Sequence, residues 1–142
     1  MNERMSEAEI RQYLYLANED LTAAHDNLRL GHLRVAVSRA YYAMFYAATA
    51  ALGNQGVWRS KHQGLIAAFG EHLVQTGLVE REYGRILHDA FDARLDSDHA
   101  PHPDLNQASA QQLVANAQAF VQRMAQLLAA EARDREERDG AN

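Results

Sequence analysis

The sequence predicts an all-α fold, a five-helix up-and-down antiparallel bundle, and three observations carry that prediction. Leucine, alanine, glutamine, glutamate and arginine are abundant and β-branched residues sparse, so propensity favours helix along nearly the whole chain. Apolar residues recur at helical spacing, and no window alternates as a strand does. Short connections between the periodic runs favour antiparallel neighbours. At 142 residues the chain has room for a single domain over 1–142, its helical core at about 7–130 and a charged tail at 131–142.

Helix one carries Ile10, Leu14, Ala17, Leu21, Ala24 and Leu28 on one face, with Ser6 as its cap and Gly31 as its end. Helix two, about Leu33 to Leu52, has small or apolar side chains on almost every face, which makes it the central helix. After the turn-rich Gly53-Asn-Gln-Gly56, Ser60 caps a third helix that runs to Thr76, where Gly77 serves as an αL terminator. A fourth helix covers about Glu80 to Asp98; Pro101 and Pro103 forbid its continuation. The fifth starts near Ser109, whose spacing to Gln112 suits a capping box, and shows Leu113, Ala117, Phe120, Met124, Leu127 and Glu131 along one stripe. Beyond Glu131 the mixed charges read as a solvated, fraying helix end.

The composition is 47% hydrophobic and lacks cysteine, which excludes disulfide scaffolds, cysteine-ligated metals and thiol nucleophiles and fits a cytoplasmic location. The polar, acidic start of the chain does not resemble a secretory signal, and the longest apolar run, Ala40 to Leu52, is too short to span a membrane. A net charge of −5 opposes nucleic acid on average, yet no acidic residue occurs from Asn27 to Gly70. That stretch holds Arg29, Arg34, Arg39, Arg59 and Lys61, so a local basic surface is compatible with an acidic chain.

Phosphate loops, dinucleotide fingerprints and the nucleophile elbow are absent, as is the Glu-x-x-His pair of carboxylate-bridged metals. The nearest donor group, Asp96 and His99 followed by His102 and Asp104, sits in a polar loop where such side chains ordinarily meet water, so no metal and no cofactor are expected. The sharper pattern is Arg94-Leu-Asp-Ser-Asp-His99. Tyr83, Leu87 and Ala90 form the inward stripe of helix four and Arg94 is its next place, while the prolines let His99 swing toward it. Such a pair can cleave RNA without metal: the histidine moves the proton of the 2′-hydroxyl or leaving group, and the arginine stabilises phosphoryl charge. Spacing alone leaves open the plainer arrangement, Arg94 salt-bridged to Asp92, Asp96 or Asp98 and His99 exposed. Arg39, the only charge between Val35 and Trp58, requires either an ion pair, with an acid of helix four as the natural partner, or a polar cleft shared with Arg94 and His99. Tyr41, Tyr42, Phe45 and Tyr46 read mostly as core, with one or two free to line that cleft or an oligomer face.

Ser38-Arg-Ala-Tyr-Tyr-Ala-Met-Phe-Tyr-Ala-Ala in helix two, Lys61-His62, Ala68-Phe-Gly, and Phe91-Asp-Ala-Arg94 leading to Asp98-His99 together resemble the HEPN domain family over about Glu7 to Leu128. The resemblance implies a helical bundle that forms a homodimer, with the Arg-to-His motifs of two subunits meeting in a cleft at the interface. Many members are metal-independent ribonucleases, often toxins paired with a nucleotidyltransferase antitoxin or acting in phage defence. Arg94 and His99 fall on the catalytic arginine and histidine of that motif, and Arg39, Tyr42, Asp98 and His102 are the side chains expected to contact single-stranded RNA beside them. Two positions depart from the pattern: Leu95 stands where nuclease members commonly carry a polar residue, and Pro101 where some toxin members carry a tyrosine. The resemblance equally implies a second class of function, a non-catalytic dimer that binds a nucleotidyltransferase, a nucleotide or RNA through the same cleft.

Overall fold

The computed structural model describes residues 3–97 and 105–140, and among them the chain forms five helices and no strand. Helix α1 spans Glu7–Arg29 and opens on the expected cap, Ser6, which the structure completes as a capping box: Ser6 Oγ accepts from the Glu9 amide at 3.1 Å, and the Glu9 carboxylate returns to the Ser6 backbone. It ends where Gly31 takes φ +80° and the His32 amide donates to the Asn27 carbonyl at 2.8 Å. Helix α2, Leu33–Gly53, returns against α1 and packs on every other helix, as a chain segment apolar on nearly all faces must. Ala36, Ala40, Ala43, Ala47, Ala48 and Ala51 are fully buried along it, so its neighbours approach closely.

The third helix departs from the expected single run to Thr76. Helix α3 covers His62–Phe69, Lys61 rather than Ser60 occupies the cap without a side-chain bond, and a π-helical turn follows over Gly70–Val74, where the Gln75 amide donates to the Gly70 carbonyl at 2.9 Å. Apolar periodicity cannot register one widened turn. The terminator does hold: Gly77 adopts φ +81°, with no atom within 4 Å of where a Cβ would sit. Because that space is open, Gly77→Ala carries the backbone cost alone, about 1–2 kcal/mol; urea unfolding will show a lower midpoint at unchanged slope.

Helix α4 is Arg81–Ser97, and Asp98, His99 and His102 lie outside the described residues. Helix α5, Gln107–Gly140, begins a half turn before the expected Ser109. The cap is Asn106: its Oδ1 accepts from the Ser109 amide at 2.9 Å, and Ser109 Oγ accepts from the Asn106 amide at 3.1 Å. Asparagine caps as well as serine, so a serine three residues downstream was the return partner of the box and not its start. The helix also continues through the charged segment to Gly140, past the expected core limit near 130, with its last turns exposed.

The long helices alternate in direction. His25 near the end of α1 meets Gln118 near the start of α5 at 2.9 Å, and Ile10 near the start of α1 packs with Leu128, so α5 runs antiparallel to α1 and alongside α2. At the start of α4, the Glu80 carboxylate accepts from Arg123 at 2.7 and 3.0 Å, and the Tyr83 and Phe120 rings lie 6.2 Å apart, which sets α4 antiparallel to α5. Helix α3 bridges α2 and α4. One apolar core draws on all five helices, with Tyr41, Phe69, Leu87 and Phe120 among its fully buried side chains. No described helix is long and apolar enough to cross a membrane.

Candidate functional site

Helices α2, α3 and α4 converge on a cluster of rings. Tyr41 and Tyr42 are consecutive on α2 and therefore point about 100° apart, Tyr41 fully into the core and Tyr42 to its half-buried margin. Phe45 follows Tyr41 and Tyr42 at helical spacing, with ring centroids 6.2 Å from each. From α3, the imidazole of His62 enters this group 4.8 Å from Phe45, and from α4 Phe91 stacks on it at 6.0 Å.

Arg94 lies one turn beyond Phe91 on the same face of α4, and the rings receive its guanidinium. Its Cζ stands 5.3 Å from the centre of Tyr42 and 6.0 Å from Tyr41, and its Nε is buried. Arg39 approaches Tyr42 as well, at 5.1 Å. One phenol ring therefore carries both arginines that the sequence singled out, a contact that each planar cation makes through the electron-rich ring face. The ion-pair partner of Arg39 is not an acid of α4. Asp20 on α1 accepts from Arg39 Nη1 at 2.9 Å, because the α1/α2 hairpin sets the two side by side. The carboxylate is largely buried and fixes Arg39 against the ring.

The sequence placed Tyr41 in the core and His62 only in a family pattern, and missed that they are joined: the Tyr41 hydroxyl and His62 Nδ1 share a hydrogen bond of 2.6 Å. They are 21 positions apart, so no local spacing could reveal the pair. Burial, reinforced by the charge of Tyr42 and opposed by Arg94, pushes the Tyr41 phenol far above its ordinary range, so it stays protonated. Burial, then the positive charge of Arg94, holds the His62 imidazole below its ordinary 6.5, so it is neutral at neutral pH.

A histidine that charges less readily folded than unfolded contributes stability that is complete above pH 6.5 and is lost as the pH falls toward its folded value. His62→Gln will therefore flatten part of the decline in thermal midpoint between pH 7.5 and pH 5. In Arg94→Ala the imidazole proton resonances will titrate at higher pH than in the native chain, while remaining below the ordinary value because burial persists.

Of the expected site residues, Arg39, Tyr42 and Arg94 come together around one ring, whereas Asp98, His99 and His102 lie outside the described residues. Among the described residues no group of histidines and carboxylates has the arrangement to hold a metal ion. What the described cluster offers is two guanidinium groups over one phenol ring, a protonated phenol and a neutral imidazole. That set suits an anion with attached aromatic groups, since the guanidinium fork matches phosphoryl oxygens and the rings match bases.

A HEPN domain model matches residues 10–128, which takes in all the helices that build this cluster. The chain belongs to the HEPN domain family. This HEPN chain is 33% identical over 120 residues to a protein of Methanocaldococcus jannaschii named as a candidate toxin, covering 84% of this chain and 89% of that one. It is 32% identical over 128 residues to a UPF0332 protein of Thermotoga maritima, covering 90% and 96% of the two chains. A UPF0332 protein of Pyrococcus horikoshii is 42% identical over 88 residues, a match that spans 61% of this HEPN chain and 62% of that relative.

Proposed function

We propose that this HEPN protein is a metal-independent endoribonuclease that cuts single-stranded RNA, and that it is the toxin of a pair whose other member is a nucleotidyltransferase antitoxin. The observation that carries the reading is the seating of Arg94: a guanidinium placed over the rings of Tyr42 and Tyr41, 5.3 and 6.0 Å from their centres, on the turn of α4 that leads to His99. Family membership and the relative named as a candidate toxin support the toxin assignment.

In this reaction His99 takes the proton from a ribose 2′-hydroxyl as the oxygen attacks the adjacent phosphorus. The 5′-oxygen leaves with a proton returned by a histidine, and the product strand ends in a 2′,3′-cyclic phosphate. Arg94 stabilises the charge that accumulates on the non-bridging oxygens, an interaction stronger in the transition state than before it. Its seat over the two rings preorganises the planar guanidinium for that role. Arg39 and Tyr42 contact the strand next to the reacting phosphate, and Asp98 and His102 complete the set of side chains expected to bind it. Two copies of the chain form the working unit, each bringing its arginine and histidine to a shared cleft.

The test is a pair of RNA oligonucleotides that differ by a single 2′-deoxy substitution at the mapped cut site. The reading expects cleavage of the ribose form to cyclic-phosphate products and none at the substituted position, with His99→Ala inactive on both. Cutting of the deoxy strand, or full activity in His99→Ala, would overturn it.

A further inference from the structure

Next to the arginine cluster lies a groove of about 380 Å³ between α1, α2 and the segment that enters α3. Its walls are aromatic: Tyr13 from α1, Phe45 and Tyr46 from α2, and Trp58, with Arg59 and Ser60 at the rim. The Tyr13 and Tyr46 rings are 6.2 Å apart. Trp58 is 41% exposed, an unusual state for the largest apolar side chain of a small protein. Among the described residues none of the groove's lining side chains is acidic, and the groove draws on the stretch from Asn27 to Gly70 that holds no carboxylate.

The groove shares one side chain with the site. Phe45 belongs to both, lying 4.8 Å from His62 and 6.2 Å from Tyr42, the ring over which Arg94 sits. Ring walls that accept a flat apolar group, a cationic rim and the absence of facing carboxylates describe a site for an aromatic group borne on an anionic backbone. A protein partner would not require this charge pattern, whereas a strand of RNA does.

We infer that the Trp58 groove is a subsite for an unpaired nucleobase of the RNA, stacked on Trp58 and the facing tyrosines, one position removed from the phosphate held by Arg94. The inference rests on the ribonuclease reading for its substrate, but it concerns binding and can fail or stand apart from cleavage. The subsite supplies the preference for single strands, because a base paired in a duplex is not free to enter it. Its stacking is tolerant of base identity, since every base presents a ring face.

Trp58 is the only tryptophan in the chain, so its emission reports the groove directly. The probe is a ten-nucleotide single-stranded RNA of mixed sequence with every 2′-hydroxyl methylated, so that it binds without being cut. A second strand of equal length and charge carries abasic positions throughout. The expected result is quenching of Trp58 emission that parallels the rise in anisotropy of a labelled strand, with little quenching by the abasic strand. Trp58→Ala weakens binding about tenfold, as loss of one stacked base should, and Trp58→Phe stays close to the native chain.

Anisotropy that rises with no change in emission, and Trp58→Ala binding as tightly as the native chain, would overturn the subsite while leaving cleavage untouched. A Trp58→Ala chain of altered mass in sedimentation that binds RNA normally would overturn it too, assigning the groove to contact between two copies. No binding of either strand sinks the subsite together with the ribonuclease reading. Quenching by a chain that never cuts RNA supports the subsite and removes only the catalytic role.

Discussion

On the proposed ribonuclease reading, Arg94→Ala is expected to lower the rate of RNA cleavage about 10²- to 10³-fold, the usual cost of removing one preorganised donor from a developing oxyanion. The loss is expected on the chemical step, because in that role the guanidinium would interact most strongly with charge that exists only in the transition state. Arg94→Lys is expected to restore little, since a lysine ammonium has no planar guanidinium to set over Tyr42 and cannot present two parallel donors to a phosphoryl group. Stability changes far less. The guanidinium contributes to the fold through its contacts with Tyr41 and Tyr42, so its removal costs on the order of 1 kcal/mol. Single-turnover cleavage at saturating enzyme, beside urea unfolding of the same preparations, separates the two effects. A variant that cuts RNA at the native rate contradicts the role given to Arg94.

The largest effect on folding comes from Phe120→Ala. Phe120 is fully buried on α5, with its ring 5.3 Å from Phe69 of α3 and 6.2 Å from Tyr83 at the start of α4, so a single side chain ties three helices together. Truncating it removes apolar burial and leaves a cavity that fixed neighbours fill only in part, at a cost of about 3–5 kcal/mol. That is a large share of the roughly 5–15 kcal/mol available to a domain of ordinary stability. Urea unfolding will show a strongly lowered midpoint, and Phe120→Leu, which keeps most of the volume, will recover much of it. A loss below about 1 kcal/mol on truncation would mean that α3 and α4 dock independently of this ring.

The helices were legible wherever a single local signal set them. Ser6 opens α1 and Gly31 closes it, and the all-round apolar pattern of α2 marks a helix with neighbours on every side. The misreadings arose where two local solutions of similar free energy compete. Asn106 and Ser109 both cap well, and the structure uses Asn106, with Leu105 before it packed against the core. A π turn after Phe69 adds one residue to a turn, which is within the tolerance of any three- or four-residue pattern.

The site divides in the same way. Arg39 and Arg94 stood out because each is a charge at an inward position of its helix, and their meeting at Tyr42 follows from the packing of α4 on α2. The partner of Arg39 did not follow, since pairing with Asp20 depends on the rotation of α1 about its own axis, and periodicity fixes that only to within a face. The bond between Tyr41 and His62, and the groove around Trp58, are products of tertiary packing between segments that carry no matching local signal.

The central claim is that the motif running from Arg94 to His99 cuts RNA without a metal ion. Its most direct test is incubation of a mixed single-stranded RNA pool with the full-length protein in EDTA, with Arg94→Ala and His99→Ala at matched purity and matched oligomeric state. The account predicts cleavage by the native chain and loss of cleavage in both variants. No cleavage above background by the native chain, or cleavage that survives both substitutions, would contradict it and leave the cluster as a binding site.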